Sequence, residues 1–217
     1  MTFDFRHTRI FILCGFLLAL TGCIHSDEPM PKIVYDYTSP PPAIVQPRRP
    51  TVVATADFPD DWLPPAGLER GWTAVVIHHS ATENGNAAIF DKWHSEARYW
   101  EGIGYDFVIG NGTNSADGQV EVTFRWRQQI TGAHCGGTAG NWANKYAVGI
   151  CLVGNFNNTP PTARQMSSLV KLLRFLQDRY GIPKSRIFGH KTTPGARVTD
   201  CPGRNFPMTK LKAALDF

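Results

Sequence analysis

Thr73-Ala74-Val75-Val76-Ile77-His78-His79-Ser80 is the stretch that decides the fold. Ala-Val-Val-Ile is a continuous β-prone apolar run, which reads as a strand buried on both faces. Such strands occur inside sheets covered by helices. This one ends in a pair of histidines, and strand ends in open α/β sheets are where active groups collect.

Outward from that strand, the elements alternate. Asn86 to Trp100 reads as a helix, because Ile89, Phe90, Trp93, Ala97 and Trp100 recur at spacings of three and four. Tyr105 to Ile109 reads as a second strand, closed by Gly110-Asn111-Gly112. Gln119 to Trp126 alternates and reads as a third. Ala147 to Val153 is a fourth, apolar and central. The clearest helix runs from Thr162 to Tyr180. Thr162 and Gln165 form a capping box there, and Met166, Leu169, Leu173 and Leu176 form its apolar stripe. Gly181 and Pro183 end it. Arg186 to Gly189 is a last short strand. The expected fold is α/β, a single domain with a central mixed β-sheet flanked by helices.

Three residues stand out against this frame. His78 ends the first strand, His190 follows the last in Phe188-Gly189-His190-Lys191, and Cys201 lies beyond in Thr199-Asp200-Cys201-Pro202-Gly203. Two imidazoles and a thiolate are the ligand set of an open zinc site, with a fourth position for water. Zinc makes such a water nucleophilic near neutral pH. Plainer readings also fit these residues: strand-end histidines satisfied by backbone groups, and a buried thiol or a disulfide partner of Cys135 or Cys151.

The 217 residues are 42% hydrophobic and 18% charged, a globular composition with net charge +4. No Lys/Arg block or basic stripe occurs, so a nucleic-acid partner is not expected. Arg6 and Arg9 precede an apolar run from Ile10 to Leu20. That run fits a signal segment and is too short for a membrane span of about 20 residues. Leu20-Thr21-Gly22-Cys23 resembles a bacterial lipobox, which implies lipidation of Cys23 and attachment to a membrane. Residues 1–22 are then a lipoprotein signal peptide and residues 23–66 a tether. Ten of the chain's 16 prolines fall between Pro29 and Pro65, which favours extended polyproline II geometry. Asp60-Asp61-Trp62-Leu63, at the tether's end, reads as a segment that docks onto the domain. Residues 67–217 form that domain. The expected location is the cell envelope, facing the periplasm. Ile24 after Cys23, in place of Asp, resembles enteric sorting to the outer membrane. Cys14 goes with the signal, and Cys135 and Cys151 are expected as free buried thiols, with a disulfide between them as the alternative.

Six motifs occur in order between about 72 and 206. They are Val76-Ile77-His78-His79-Ser80-Ala81-Thr82, Gly102-Ile103-Gly104-Tyr105-Asp106-Phe107, Gly132-Ala133-His134, Val148-Gly149-Ile150-Cys151-Leu152-Val153-Gly154, Gly189-His190 and Thr199-Asp200-Cys201-Pro202-Gly203. Together they resemble the peptidoglycan-recognition-protein and type-2 N-acetylmuramoyl-L-alanine amidase family. The resemblance implies Zn2+ on His78, His190 and Cys201, with His79 not a ligand. It implies that Tyr105 contacts the activated water or the polarised carbonyl, that Thr199 lies near the substrate oxygen and that His134 lines the cleft, with His134 or Thr199 joining Tyr105 as a catalytic donor to the oxyanion. Some amidases of the family place a catalytic Glu where this chain has Cys151. The sequence here resembles the phage-lysozyme and animal recognition-protein branches instead. The implied reaction is hydrolysis of the amide between the lactyl group of N-acetylmuramic acid and L-alanine, in peptidoglycan or its muropeptides, by a monomer. A non-catalytic peptidoglycan-binding module is the alternative. His94, Arg98, Trp126 and Trp142 are further candidate contacts, with core packing the bland alternative for the two tryptophans.

Overall fold

A computed structural model describes residues 58–215. The expected signal peptide, Cys23 and the tether up to residue 57 lie outside the described residues. The elements, in chain order, are β1 (Ala74–His79), α1 (Ala87–Arg98), β2 (Phe107–Ile109), β3 (Val120–Val122), α2 (Phe124–Gln128), α3 (Trp142–Tyr146), β4 (Ala147–Leu152), α4 (Ala163–Tyr180), β5 (Ile187–Gly189) and α5 (Met208–Ala213).

The strands form one mixed sheet in the order β3-β2-β4-β1-β5. β1 runs parallel to β4 and β5, β2 parallel to β4, and β3 antiparallel to β2. Every residue of β1 and β4 is buried, as their continuous apolar runs require. Alternation divides β1 between two packing layers. Val75 and Ile77 join Ile150, Leu152 and Leu169, Leu172, Leu173 and Leu176 of α4 in the main core. Ala74 and Val76 face the other way, against Ala143, Ala147 and Cys135. The two histidines that follow therefore point to opposite faces, His78 with Val76 and His79 with Ile77.

α4 starts where the capping box requires. The Thr162 hydroxyl accepts from the Gln165 N–H, and the Gln165 side chain accepts from the Thr162 N–H. Gly181 ends the helix at φ 65°, in the left-handed region that glycine adopts readily. Gln165 is buried, and its amide nitrogen donates to the carbonyls of Val153 at 2.8 Å and Ile109 at 3.2 Å. One side chain thus ties the helix start to the ends of β2 and β4.

Two readings of the sequence need correction. The third strand stops at Val122, because Thr123 caps a helix there. Its side chain accepts from the Arg125 N–H, and Phe124–Gln128 coil into α2. Alternation across Phe124 and Trp126 comes from one helical turn. Trp126 is fully buried beside Trp72 and Phe107, so it is a core residue and not a substrate contact. On α1, the apolar stripe is not simply a packing face. Only Phe90 is buried, while Trp93 and Trp100 remain 46% and 39% exposed. The helix lies along a cleft, with Phe90, Trp93 and Ala97 lining it.

The packed unit also begins earlier than residue 67. Trp62 is buried in the main core, its backbone carbonyl accepts from Trp126 Nε1 at 2.9 Å, and Phe58 and Trp62 pack on Phe175. The segment read as a docking end of the tether is part of the core.

Candidate metal centre

The sheet brings together residues that are far apart in sequence. β1 carries His78 to its C-terminal end, and β5, its parallel neighbour, delivers His190 in the turn after Gly189. The loop beyond returns Cys201 to the same end, held by a 2.7 Å hydrogen bond from the Lys191 N–H to the Cys201 carbonyl. One ligand atom each from His78, His190 and Cys201 lies within 4.8 Å of the others. Nδ1 of His78 is 3.6 Å from Sγ of Cys201. The rings of His78 and His190 are 4.6 Å apart between centroids.

The donor set fits zinc, whose structural and catalytic sites favour imidazole and thiolate. Burial, then His134 and His190 nearby, hold His78 well below the usual imidazole range, so it is neutral and its lone pair is available. His190 is lowered by burial too, and its Nε2 is buried with no hydrogen-bond partner among the described residues. Burial pushes the Cys201 thiol up to about 12, partly offset by the His79 N–H at 3.4 Å from the sulfur. A bound divalent ion would favour the thiolate, because ligand thiols bind deprotonated.

The other implied residues take distinct places. His79 faces the opposite layer, where its Nδ1 accepts from the Phe156 N–H at 3.0 Å, away from the ligand cluster. Tyr105 is half-buried, its ring 5.2 Å from that of His78. Burial, then Cys151 and Cys201 nearby, raises its phenol well above the ordinary value, so it stays protonated and can donate. Cys151 is the cross-strand partner of His78 in register and is a buried free thiol, as is Cys135. The Thr199 hydroxyl oxygen accepts from the Cys201 N–H at 3.2 Å and so shapes the ligand turn, keeping its own proton to donate.

His134 is not placed as a cleft-lining group. It is buried behind His78, with Nδ1 3.1 Å from His78 Nε2 and Nε2 3.2 Å from the Ala147 carbonyl. Both ring nitrogens are engaged, so it has none left for a substrate oxyanion. The expectation failed because Gly132-Ala133-His134-Cys135-Gly136 reads as an open loop. Asn144, unremarkable in sequence, anchors that loop by accepting from the His134 and Cys135 N–H groups.

Two clefts flank the centre. One of about 310 Å³ is lined by Phe90, Trp93, His94, Arg98 and Tyr105. His94 Nδ1 accepts from the Gly104 N–H at 3.1 Å, which leaves Nε2–H to donate. Arg98 lies over the Trp100 ring at 5.5 Å. The other, about 360 Å³, is lined by Asn157, Lys191, Asp200 and Arg204. The sequence reading singled out His94 and Arg98 but not this second, cationic cleft, whose members come from two separate connections, Asn157 after β4 and the others between β5 and α5. Trp142 stands elsewhere, half-buried against Phe188 with Arg186 over its ring.

A family model described as N-acetylmuramoyl-L-alanine amidase matches residues 69–204. The chain is 32% identical over 140 residues to peptidoglycan-recognition protein SC2 of Drosophila melanogaster, covering 60% of this chain and 68% of that protein. Among solved structures, it is similar to the N-acetylmuramoyl-L-alanine amidase LysC from Clostridium intestinale. The TM-score is 0.56 at 34% identity, covering 67% of this chain and 85% of that one. It is also similar to peptidoglycan recognition protein-LE in complex with tracheal cytotoxin, a monomeric diaminopimelic acid-type peptidoglycan. That TM-score is 0.53 at 26% identity, covering 77% of this chain and 88% of that one.

Proposed function

Because the chain belongs to the N-acetylmuramoyl-L-alanine amidase family, we propose that it hydrolyses the amide between the lactyl group of N-acetylmuramic acid and L-alanine, using zinc held by His78, His190 and Cys201. The observation that carries this reading is the convergence of those three donors at the end of β1 and β5. When bound, zinc supplies Lewis-acid polarisation of the amide carbonyl and activates a water.

The chain's own residues do the rest. Tyr105, protonated and beside His78, donates a hydrogen bond to the carbonyl oxygen as negative charge builds there. Thr199 has a hydroxyl proton to offer from the ligand turn. His94 Nε2–H and the Arg98 guanidinium bind polar and anionic parts of a muropeptide in the cleft beside Tyr105, and Trp93 offers an exposed ring to its apolar surface. Buried Cys151 has no carboxylate to act as a base where some relatives carry Glu.

What supports hydrolysis over binding alone is the complete His-His-Cys donor set next to a protonated tyrosine. The test is zinc content together with release of stem peptides from purified peptidoglycan. One zinc per chain and new peptide amino termini, both lost on chelation, are expected. Zinc without cleavage of wall or of soluble muropeptides would leave only a binding module. We further propose that Cys23 carries lipid and holds the domain on the periplasmic side of the outer membrane as a monomer. The Leu20-Thr21-Gly22-Cys23 stretch and the proline-rich segment behind it support this. Substituting Cys23→Ser should release the protein from the membrane fraction with its activity intact.

A further inference from the structure

Asn144, Gly132, Gly149 and Ala147 build a tight seat around the imidazole of His134. The Asn144 side-chain oxygen accepts from the His134 N–H at 2.8 Å and the Cys135 N–H at 2.9 Å. The Asn144 carbonyl also accepts from the Gly132 N–H at 2.8 Å. A Cβ on Gly149 would stand 2.5 Å from His134 Cδ2, and one on Gly132 2.7 Å from the same atom. Neither φ is in the left-handed region, so these two glycines are required for space and not for backbone conformation. The ring is fixed in position and orientation.

The partners of that ring fix its protons. The Ala147 carbonyl, 3.2 Å from His134 Nε2, can only accept, so Nε2 carries a hydrogen. A neutral imidazole protonated at Nε2 is an acceptor at Nδ1. His78 Nε2, 3.1 Å from that Nδ1, must then be the donor. A neutral His78 with its hydrogen on Nε2 has its lone pair on Nδ1, the nitrogen 3.6 Å from Cys201 Sγ. Second partners that fix a ligand histidine's tautomer are usually a carboxylate, a carbonyl or water. Here a second imidazole stands between the ligand and the carbonyl.

We propose that His134 is a positioning residue. A relay from the Ala147 carbonyl through His134 sets the tautomer of His78, and so presents Nδ1 as the metal-binding atom. This rests on the metal-centre reading above, but not on the identity of the substrate. It gives the Gly132-Ala133-His134 motif a role that needs no contact with substrate.

The test uses the full chain labelled with 15N. Imidazole nitrogen–proton correlations, recorded with and without zinc, should show His78 and His134 both protonated at Nε2. His134→Leu keeps bulk but removes both hydrogen bonds. It should weaken zinc binding about 10- to 100-fold in chelator competition and leave His78 a mixture of tautomers. His134→Gln carries a neutral acceptor and donor and should recover most of the affinity. A hydrogen on Nδ1 of His78 in the wild type would overturn the proposal, whether or not the variants fold. So would wild-type zinc affinity in a folded His134→Leu protein. Zinc bound with the expected tautomers but no amide cleavage would sink the amidase reading and leave the relay standing.

Discussion

Nδ1 of His78 and Sγ of Cys201, 123 residues apart in sequence, approach to 3.6 Å. Zinc–nitrogen and zinc–sulfur bonds of usual length at a tetrahedral angle subtend an edge of about 3.6 Å. The two donors already stand at the spacing a shared ion requires. Cys201 is only partly buried and belongs to none of the hydrophobic clusters. Cys201→Ala should therefore keep the circular-dichroism spectrum while losing bound zinc and activity together. Stoichiometric zinc with full turnover in that variant would remove Cys201 from the ligand set.

Tyr105 acts differently. Its phenol sits beside His78 without belonging to the donor cluster. Tyr105→Phe deletes one hydrogen-bond donor and little else. Loss of a donor to a developing oxyanion costs about 10²- to 10³-fold in kcat, or about 3–4 kcal/mol. The expected result is unchanged zinc content with turnover reduced by about that factor. A loss confined to KM would instead assign Tyr105 to substrate binding alone.

How far the sequence carries the fold depends on what sets each element. β1, β4 and α4 were legible because their signals are local: unbroken apolar runs, and a capping box followed by a stripe and a glycine stop. The split of His78 from His79 also follows from strand alternation. α2 was misread because one helical turn after Thr123 looks like continued alternation until the cap is seen. The role of His134 was not legible, since it depends on Gly149 and Ala147 on β4 and on Asn144 in α3, brought to the loop only by folding. The exposed face of α1 escaped for a related reason. An apolar stripe has the same pattern whether it covers a core or borders a cleft.

Gln165 joins local and distant structure in one side chain. Its oxygen completes the cap of α4, and its nitrogen serves the Val153 and Ile109 carbonyls inside the protein. Gln165→Ala would leave the buried Val153 carbonyl unpaired, at about 1–3 kcal/mol, take one of two partners from the Ile109 carbonyl, which keeps the Val153 N–H, and weaken the cap as well. A destabilisation of about 2–4 kcal/mol in urea unfolding is expected, with zinc binding retained in the folded fraction. Thr162→Ala removes the hydroxyl half of the cap, at about 1 kcal/mol, together with the hydroxyl's hydrogen bond to the Asp117 carboxylate. A loss in Gln165→Ala no larger than the cap's own value of about 1 kcal/mol would show that the bonds to the strand ends contribute nothing.

Asp106 gives the fold a pH dependence of its own. It is fully buried at the entry to β2, with Oδ2 accepting from the Gly149 N–H at 2.7 Å and Oδ1 without a hydrogen-bond partner among the described residues. Burial raises its pKa to about 7, against smaller opposing effects of the Gly149 hydrogen bond, Arg125 and Arg70. The unfolded carboxyl ionises near 3.8. Between those values the folded state keeps a proton that the unfolded state has released. Stability from this group is therefore fully present below pH 3.8 and is lost as pH rises towards 7. At about 1.4 kcal/mol per pH unit the whole effect is on the order of 4 kcal/mol. The buried histidines, whose pKa values are lowered, contribute with the opposite sign, so the raw stability profile mixes both. Asp106→Asn cannot titrate and isolates the carboxyl. The difference in unfolding free energy, wild type minus variant, should fall by a few kcal/mol from pH 4 to pH 7 and then level off. A flat difference across that range would mean that Asp106 ionises in the folded protein much as it does in the unfolded chain.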